Sequence, residues 1–272
     1  MTRNEYMSRK FVGGTNYEIR LGTSGYSFRD WVGPFYPEGT RPGEMLEYYS
    51  GRFGTVEINS TYYGILSPAA SRSMVERTPD DFRFILKLHS SMTHGRDATE
   101  DQWKEYSAML EPFTESGKLS CLLAQFPYSF GSSDASVDYV LSLGDRIGRI
   151  PLAVEMRHDS WYSCGHLDRL SEAGMAPVSV DLPRLPHLPP PVPVGGKPFG
   201  YVRLHGRNTE QWWNGGPLRY DYTYSDAQLR SWLPVIDRLG RESGLVYVMF
   251  NNCHFGQAVR DAIRMEELFR GE

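Results

Sequence analysis

No apolar run in this sequence approaches the ~18 residues that a membrane-spanning helix needs, which argues against a chain embedded in a bilayer. Cysteine is scarce. Cys121, Cys164 and Cys253 are an odd number with no metal-type spacing, so neither a disulfide framework nor a zinc site is expected, and the thiols should be buried or inert. Charge of one sign is lacking too: Lys and Arg total 29 against 33 Asp and Glu, a formal −4. That balance gives no broad basic field to draw in DNA or an anionic membrane, so nucleic acid is a disfavoured partner. No G-x-G-x-x-G and no P-loop lysine follow the first strand-like run, where Gly22-Thr23-Ser24-Gly25 leads into Tyr26-Ser27-Phe28. The first 18 residues lack an apolar stretch of signal-peptide length; they read as an N-terminal extension, residues 1–18, of a cytoplasmic protein.

The composition is that of a soluble globular chain, with 40% apolar and 23% charged residues, and 272 residues suit one large α/β domain, here 19–272. Strand-like runs rich in branched and aromatic residues occur at Ile19–Ser24, Thr55–Ser60, Phe82–His89, Leu119–Phe126, Leu152–Arg157, Pro177–Asp181, Gly200–His205 and Leu245–Asn251. Helical patterns fall between them at Gly43–Arg52, Pro68–Arg77, Thr99–Thr114, Ser133–Ile147, Cys164–Ala173, Ser225–Arg241 and Gln257–Phe269. Only the connection Leu182–Pro198 differs: its seven prolines predict an extended surface loop. Eight strands alternating with helices predict a parallel sheet closed into a TIM (β/α)8 barrel, with an open doubly wound sheet as the rival.

Several strands share one pattern, seen in Val56-Glu57-Ile58-Asn59, Val154-Glu155-Met156-Arg157-His158 and Val202-Arg203-Leu204-His205-Gly206. Alternation sends apolar side chains to one face and polar ones to the other. With the helix-facing side apolar, the inward set near the strand ends is Ser24, Glu57, Asn59, Lys87, His89, Gln125, Glu155, Arg157, Asp181, Arg203, His205 and Asn251. So many polar groups require a wet pocket, a ligand or dense mutual pairing, since an unsatisfied buried polar group costs about 1–3 kcal/mol. The pairing alternative sets Glu57 against Lys87, and Glu155 against Arg157 or Arg203.

The segments Gly22-Thr23-Ser24-Gly25-Tyr26, Trp31-Val32-Gly33-Pro34-Phe35-Tyr36-Pro37, Val56-Glu57-Ile58-Asn59-Ser60-Thr61-Tyr62-Tyr63, Ala153-Val154-Glu155-Met156-Arg157-His158 with Ser160-Trp161, Tyr201-Val202-Arg203-Leu204-His205-Gly206 and Phe250-Asn251-Asn252 resemble the signature of the YecE-like family, domain of unknown function seventy-two. The likeness runs from Ile19 to Phe269. It implies a TIM-barrel fold and no established activity. Tyr26 stands where that family often has Trp, Met156 where Phe is common, and Asp261 where Asn is expected in the last helix.

Glu57 and Glu155, on opposing arcs of such a barrel, suit a general acid and a general base, with His205 as a third proton-transfer group. Lys87, Arg157 and Arg203 suit a carboxylate or phosphate. The remaining expected substrate contacts are Ser24, Tyr26, Asn59, His89, His94, Gln125, His158, Asp181, Trp212, Asn251 and Asn252. Metal-ligand types are present in Glu57, His89, Glu155, Asp181, His205 and His254, but the interleaved cations would repel a dication and no H-x-H or H-E-x-x-H spacing occurs. No metal residue and no cofactor is therefore assigned, a divalent ion being left open. Trp31 is expected to anchor its loop, whereas the pair Trp212-Trp213 should present at least one ring to the cavity or solvent. Gly206, Asn208, Gly215 and Gly216 lie where barrels place phosphate-binding amides. The reading that follows is an enzyme of hydrolase or lyase type acting on a small anionic or polyhydroxylated substrate. Its rivals are a metal-dependent phosphodiesterase similar to abasic-site endonucleases of the same fold, and a non-catalytic ligand-binding barrel.

Overall fold

Beta-branched and aromatic runs become strands, and the amphipathic segments between them become helices. The computed structural model describes residues 11–12 and 17–271. Its strands are β1 (Phe11–Val12), β2 (Glu18–Thr23), β3 (Thr55–Ile58), β4 (Arg83–Lys87), β5 (Leu119–Gln125), β6 (Leu152–Glu155), β7 (Ala176–Pro177), β8 (Ser179–Asp181), β9 (Gly200–Leu204) and β10 (Leu245–Phe250). The helices are α1 (Met45–Arg52), α2 (Pro68–Glu76), α3 (Glu100–Glu115), α4 (Asp134–Ile147), α5 (His166–Glu172), α6 (Asp226–Ser243) and α7 (Gln257–Arg270). Helix starts are written locally: Ser67 accepts from the Ala70 amide, while Thr99 with Gln102 and Ser225 with Gln228 form reciprocal capping boxes. Most of the expected extension lies outside the described residues. Within it, β1 pairs antiparallel with β2, and Tyr17 is buried with its hydroxyl on Asp237.

All the strand pairings except that of β1 are parallel, in two sheets ordered β1-β2-β10-β9-β8 and β3-β4-β5-β6-β7. The expected continuous ladder of eight strands is thus replaced by two ladders. Between β2 and β3 a single parallel bridge, Ser24 to Glu57, joins them. Gly22 permits the close approach there, since a Cβ on it would sit 2.5 Å from the Thr55 carbonyl oxygen. At the other junction the expected strand Pro177–Asp181 is broken at Val178: β7 pairs with β6 and β8 with β9, while the Val178 amide donates to Val154 at 2.9 Å.

Strands also stop one or two residues before the alternation does. Asn59 already has helical dihedrals (φ −85°, ψ −18°), and His89 and His158 turn their rings onto the amides of Ser91 and Ser160, 3.2 Å each. These His-x-Ser turns convert strand-like sequence into loop starts, because the ring nitrogen satisfies a turn amide that the ladder would otherwise need. The larger apolar core lies between helices and strands. A second cluster takes Ile85, Leu123 and Ala153 from one sheet and Tyr201, Tyr247 and Met249 from the other. These positions share strand parity with Lys87, Gln125, Glu155 and Arg203, so the polar set continues the same face toward the strand C-termini. Cys121 and Cys253 are buried free thiols, as expected; Cys164 is exposed. Among the described residues no helix is long and apolar enough to cross a membrane.

Candidate functional site

Beyond the C-terminal ends of β4, β5 and β6 opens a cleft of about 300 Å³. Lys87, Gln125 and Arg157 come from those strand ends and His94 from the loop after β4. Tyr62 and Tyr63 come from the turn after β3, Pro127 and Tyr128 from the loop after β5, and Leu188 from the proline-rich loop. The loop after β9 adds Trp212, Trp213, Arg219 and Tyr220. No Asp or Glu is among these lining residues.

The carboxylates lie beneath. Arg203 of β9 donates to Glu57 of β3 at 2.5 Å and to Glu155 of β6, and Arg157 donates to the other oxygen of Glu155. The Tyr201 hydroxyl donates to Glu57 at 2.6 Å, and Ser24 Oγ stands 3.4 Å from Arg203. Glu57, Glu155 and His205 are fully buried. Burial pushes the Glu155 carboxyl up, but Arg157 and Arg203 outweigh it and hold the group well below the usual carboxylate range. A carboxyl so held cannot donate a proton near neutrality. His205 is pushed down to about 3, by burial first and then by Arg157. Asn251 Nδ2 donates to its Nδ1 at 2.8 Å, which leaves Nε2, 3.4 Å from Glu155, as the protonated nitrogen of a neutral ring. Glu57, Glu155 and His205, expected as proton-transfer groups, therefore form a closed network under the cleft, the pairing alternative with one change of partner. Glu57 meets Arg203, whereas Lys87 donates to Gln125 at 2.7 Å.

Of the residues expected as substrate contacts, Lys87, His94, Gln125, Arg157 and Trp212 line the cleft. Arg203, Ser24 and Asn251 belong to the network below, and Asn59 Nδ2 reaches the Ser24 carbonyl at 3.5 Å. The others are drawn elsewhere. Tyr26 gives its carbonyl to the Tyr36 hydroxyl, and His89 and His158 cap their turns. Asp181 accepts from Arg207 and, at 3.2 Å, from Trp232 of α6. Asn252 is bound to the Tyr222 carbonyl and to Asp261. The cleft residues missing from the expected set come mostly from loops, where strand parity gives no direction. Tyr62-Tyr63 had two available signals, their place directly after a strand end and their position in the segment Val56–Tyr63 that carries the family resemblance.

Two expectations about aromatics hold: Trp31 is buried with Nε1 on the Cys253 carbonyl at 2.7 Å, and both Trp212 and Trp213 reach the cleft. The six candidate metal ligands do not gather. Among the described residues the metal-spaced group is His158, Asp159 and His187, whose ligand atoms lie within 4.8 Å of one another outside the cleft lining.

Asp261 is buried, accepting from the Tyr224 amide and Asn252, and burial pushes its carboxyl from 3.8 up to about 6. A raised folded-state pKa stabilises fully below the ordinary value and loses that contribution as pH rises through about 6. Asn at this position does not titrate. Asp261→Asn should therefore gain on the parent chain between pH 4 and pH 7 by about 2 kcal/mol. Urea denaturation at both pH values measures this; a stability difference that ignores pH would refute it.

The protein family of unknown function DUF72 matches residues 20–272. UPF0759 protein YunF of Bacillus subtilis is 30% identical over 268 residues, covering 92% of this chain and 94% of that protein. UPF0759 protein YecE of Escherichia coli K12 is 26% identical over 143 residues, 52% of each chain. A crystal structure of a DUF72 family protein from Thermotoga maritima superposes with a TM-score of 0.84 at 36% identity, covering 93% of this chain and 99% of that one. One from Enterococcus faecalis V583 gives 0.82 at 26% identity, covering 93% and 95%. The chain belongs to the DUF72 family.

Proposed function

We propose that the two sheets are arcs of one closed (β/α)8 barrel whose strand C-termini hold a binding cleft for a small anionic or polyhydroxylated substrate. Support for closure comes from the Ser24–Glu57 bridge, the segment 176–181 that serves both sheets, and the apolar cluster drawn from both. The observation that carries the binding reading is the lining itself: Lys87, Arg157 and Arg219 with six aromatic rings and no acidic side chain. Three cations, of which Arg157 alone is paired with a carboxylate, Glu155 beneath the cleft, favour a phosphate or carboxylate, and tyrosine and tryptophan faces suit a sugar ring or other planar group. Chemistry of hydrolase or lyase type remains the reading, with proton transfer moved from the buried glutamates to the cleft groups. Of these, Lys87, brought down to about 7 by burial and by Arg203, lies where a side chain exchanges protons near neutrality, whereas burial and Lys87 hold His94 down to about 4, a neutral but weak base.

The test is calorimetric titration with ribose 5-phosphate and with ribose. The phosphate should bind and the neutral sugar should bind at least about tenfold more weakly, a charge-assisted hydrogen bond being worth about 1.5–3 kcal/mol. Arg219→Ala, which removes a half-buried side chain of the 3-10 turn Gly216–Tyr220 whose Nε donates to the Gly216 carbonyl at 3.0 Å, should weaken the phosphate about tenfold and change stability by less than about 1 kcal/mol. Equal affinity for the two ligands would overturn the reading.

A further inference from the structure

Lys87 differs from its neighbouring cations in what holds it. Arg203 and Arg157 occupy the two nearby carboxylates, Glu57 and Glu155, and among the described residues Lys87 makes no ion pair. Its Nζ donates to one neutral acceptor, Gln125 Oε1, at 2.7 Å, and lies 4.4 Å from the centroid of the Tyr62 ring. The Gln125 amide is oriented by its own Nε2, which donates to the Phe126 carbonyl at 2.6 Å, so oxygen is the atom offered to the lysine. A neutral amine can keep that hydrogen bond and still direct its lone pair into the cleft.

Lys118 is the internal contrast. Buried where Lys87 is only partly so, it has acceptors for all three ammonium hydrogens, the carbonyls of Val75 and Thr78 at 2.8 and 2.7 Å and the Thr78 hydroxyl at 3.4 Å, which leaves its nitrogen no open side. Lys87 has one such acceptor and an open wall. Its setting also favours the neutral amine: burial first, then Arg203, bring it from 10.5 down to about 7.

We propose that Lys87 is a nucleophile that condenses with the carbonyl carbon of a small anionic aldehyde or ketone, such as an α-keto acid or a phosphorylated carbonyl compound. The inference rests on the anionic-cleft reading and names its substrate class. The amine lone pair forms the N–C bond as the C=O π bond breaks, and the oxygen takes a proton from the nitrogen to give a carbinolamine. That hydroxyl then takes one proton from solvent and leaves as water, its C–O bond broken, giving a protonated imine. The positive nitrogen draws electrons from the adjacent carbon, which serves carbon–carbon cleavage or proton loss there, as a lyase requires. Arg157 and Arg219 are placed in the cleft lining to hold the anionic end.

Reductive trapping tests this on the full chain. Pyruvate or glycolaldehyde phosphate with sodium cyanoborohydride should raise the protein mass by that of the probe less one oxygen atom. Peptide mapping should place the adduct on Lys87 and not on Lys104, Lys118 or Lys197. The trapping rate should rise with pH through about 7, the value at which this amine becomes neutral. Lys87→Arg should lower it at least about tenfold, while Lys104→Arg, on an exposed helix face, leaves it unchanged. Lactate and glycerol phosphate, which carry the anion without the carbonyl, are titrated in parallel by tryptophan fluorescence. If they bind and Lys87 forms no adduct, the imine is overturned and the anionic cleft stands; if nothing binds or reacts, both fall. Label spread evenly over the lysines also overturns the proposal, and because the parent chain is mapped directly, a misfolded variant cannot decide it.

Discussion

Arg203→Met should destabilise the protein by about 4 kcal/mol or more at pH 7.5, the largest effect expected of a single substitution in the buried network. Removing the guanidinium leaves Glu57 and Glu155 without the partner they share, and Arg157 reaches only Glu155. An uncompensated buried carboxylate is far more costly than an intact pair is favourable, which is why breaking such pairs typically costs about 3–5 kcal/mol. Converting both glutamates to Gln in the Arg203→Met background should therefore recover part of the loss. The pH dependence is also fixed. In the parent chain Glu155 has a depressed pKa, so its contribution is present above the ordinary carboxyl range and is lost as pH falls through the lowered folded-state value. In the variant two buried carboxyls share the one remaining cation, Arg157 on Glu155, which favours proton uptake by the pair, so its deficit should narrow toward pH 5. Urea denaturation followed by tryptophan fluorescence reads both effects, and a loss under about 1 kcal/mol at pH 7.5 would refute the argument.

Trp31→Ala should cost about 3–5 kcal/mol, the usual range for deleting a fully buried Trp. The ring packs on Phe28 at 4.7 Å between centroids and lies 6.2 Å from Tyr36, and its indole N–H supplies the Cys253 carbonyl across 222 residues of sequence. Trp31→Phe keeps much of the packing and loses the hydrogen bond, so about 1–2 kcal/mol is expected. A second tie, the Phe255 amide on Asp30 at 2.7 Å, holds the same two loops. Thermal unfolding of the two variants should rank Ala well below Phe; similar melting temperatures would remove the anchoring role.

Element identity was legible because it is written in local periodicity: every expected strand and helix has a counterpart, shifted mostly at its ends. Parity located the polar set at the strand C-termini, and it also placed the apolar layer below. Parity could not say which polar residues pair. Glu57 was expected opposite Lys87, its neighbour by strand order, yet Arg203 is long enough to span from β9 to both glutamates and displaces it. Nor does alternation distinguish a ring that faces a ligand from one that caps a turn, as His89 and His158 do within two residues of their own backbone. Loop residues such as Tyr128, Leu188 and Arg219 have no period at all; their arrival in one cleft is a tertiary fact.

The lapses in the backbone ladder give Arg203 a further consequence. It belongs to the sheet that contains β9, and both of its carboxylate partners belong to the other. Glu57 is itself the residue of the lone bridge between β2 and β3. Side-chain ion pairs thus supply cohesion where main-chain pairing is thinnest, and the two halves should open as one cooperative unit only while those pairs persist. Amide hydrogen exchange would register this at Val178, whose amide ties the segment between β7 and β8 to Val154 of β6, as protection that tracks global stability in the parent chain and falls away from it once Arg203 is gone.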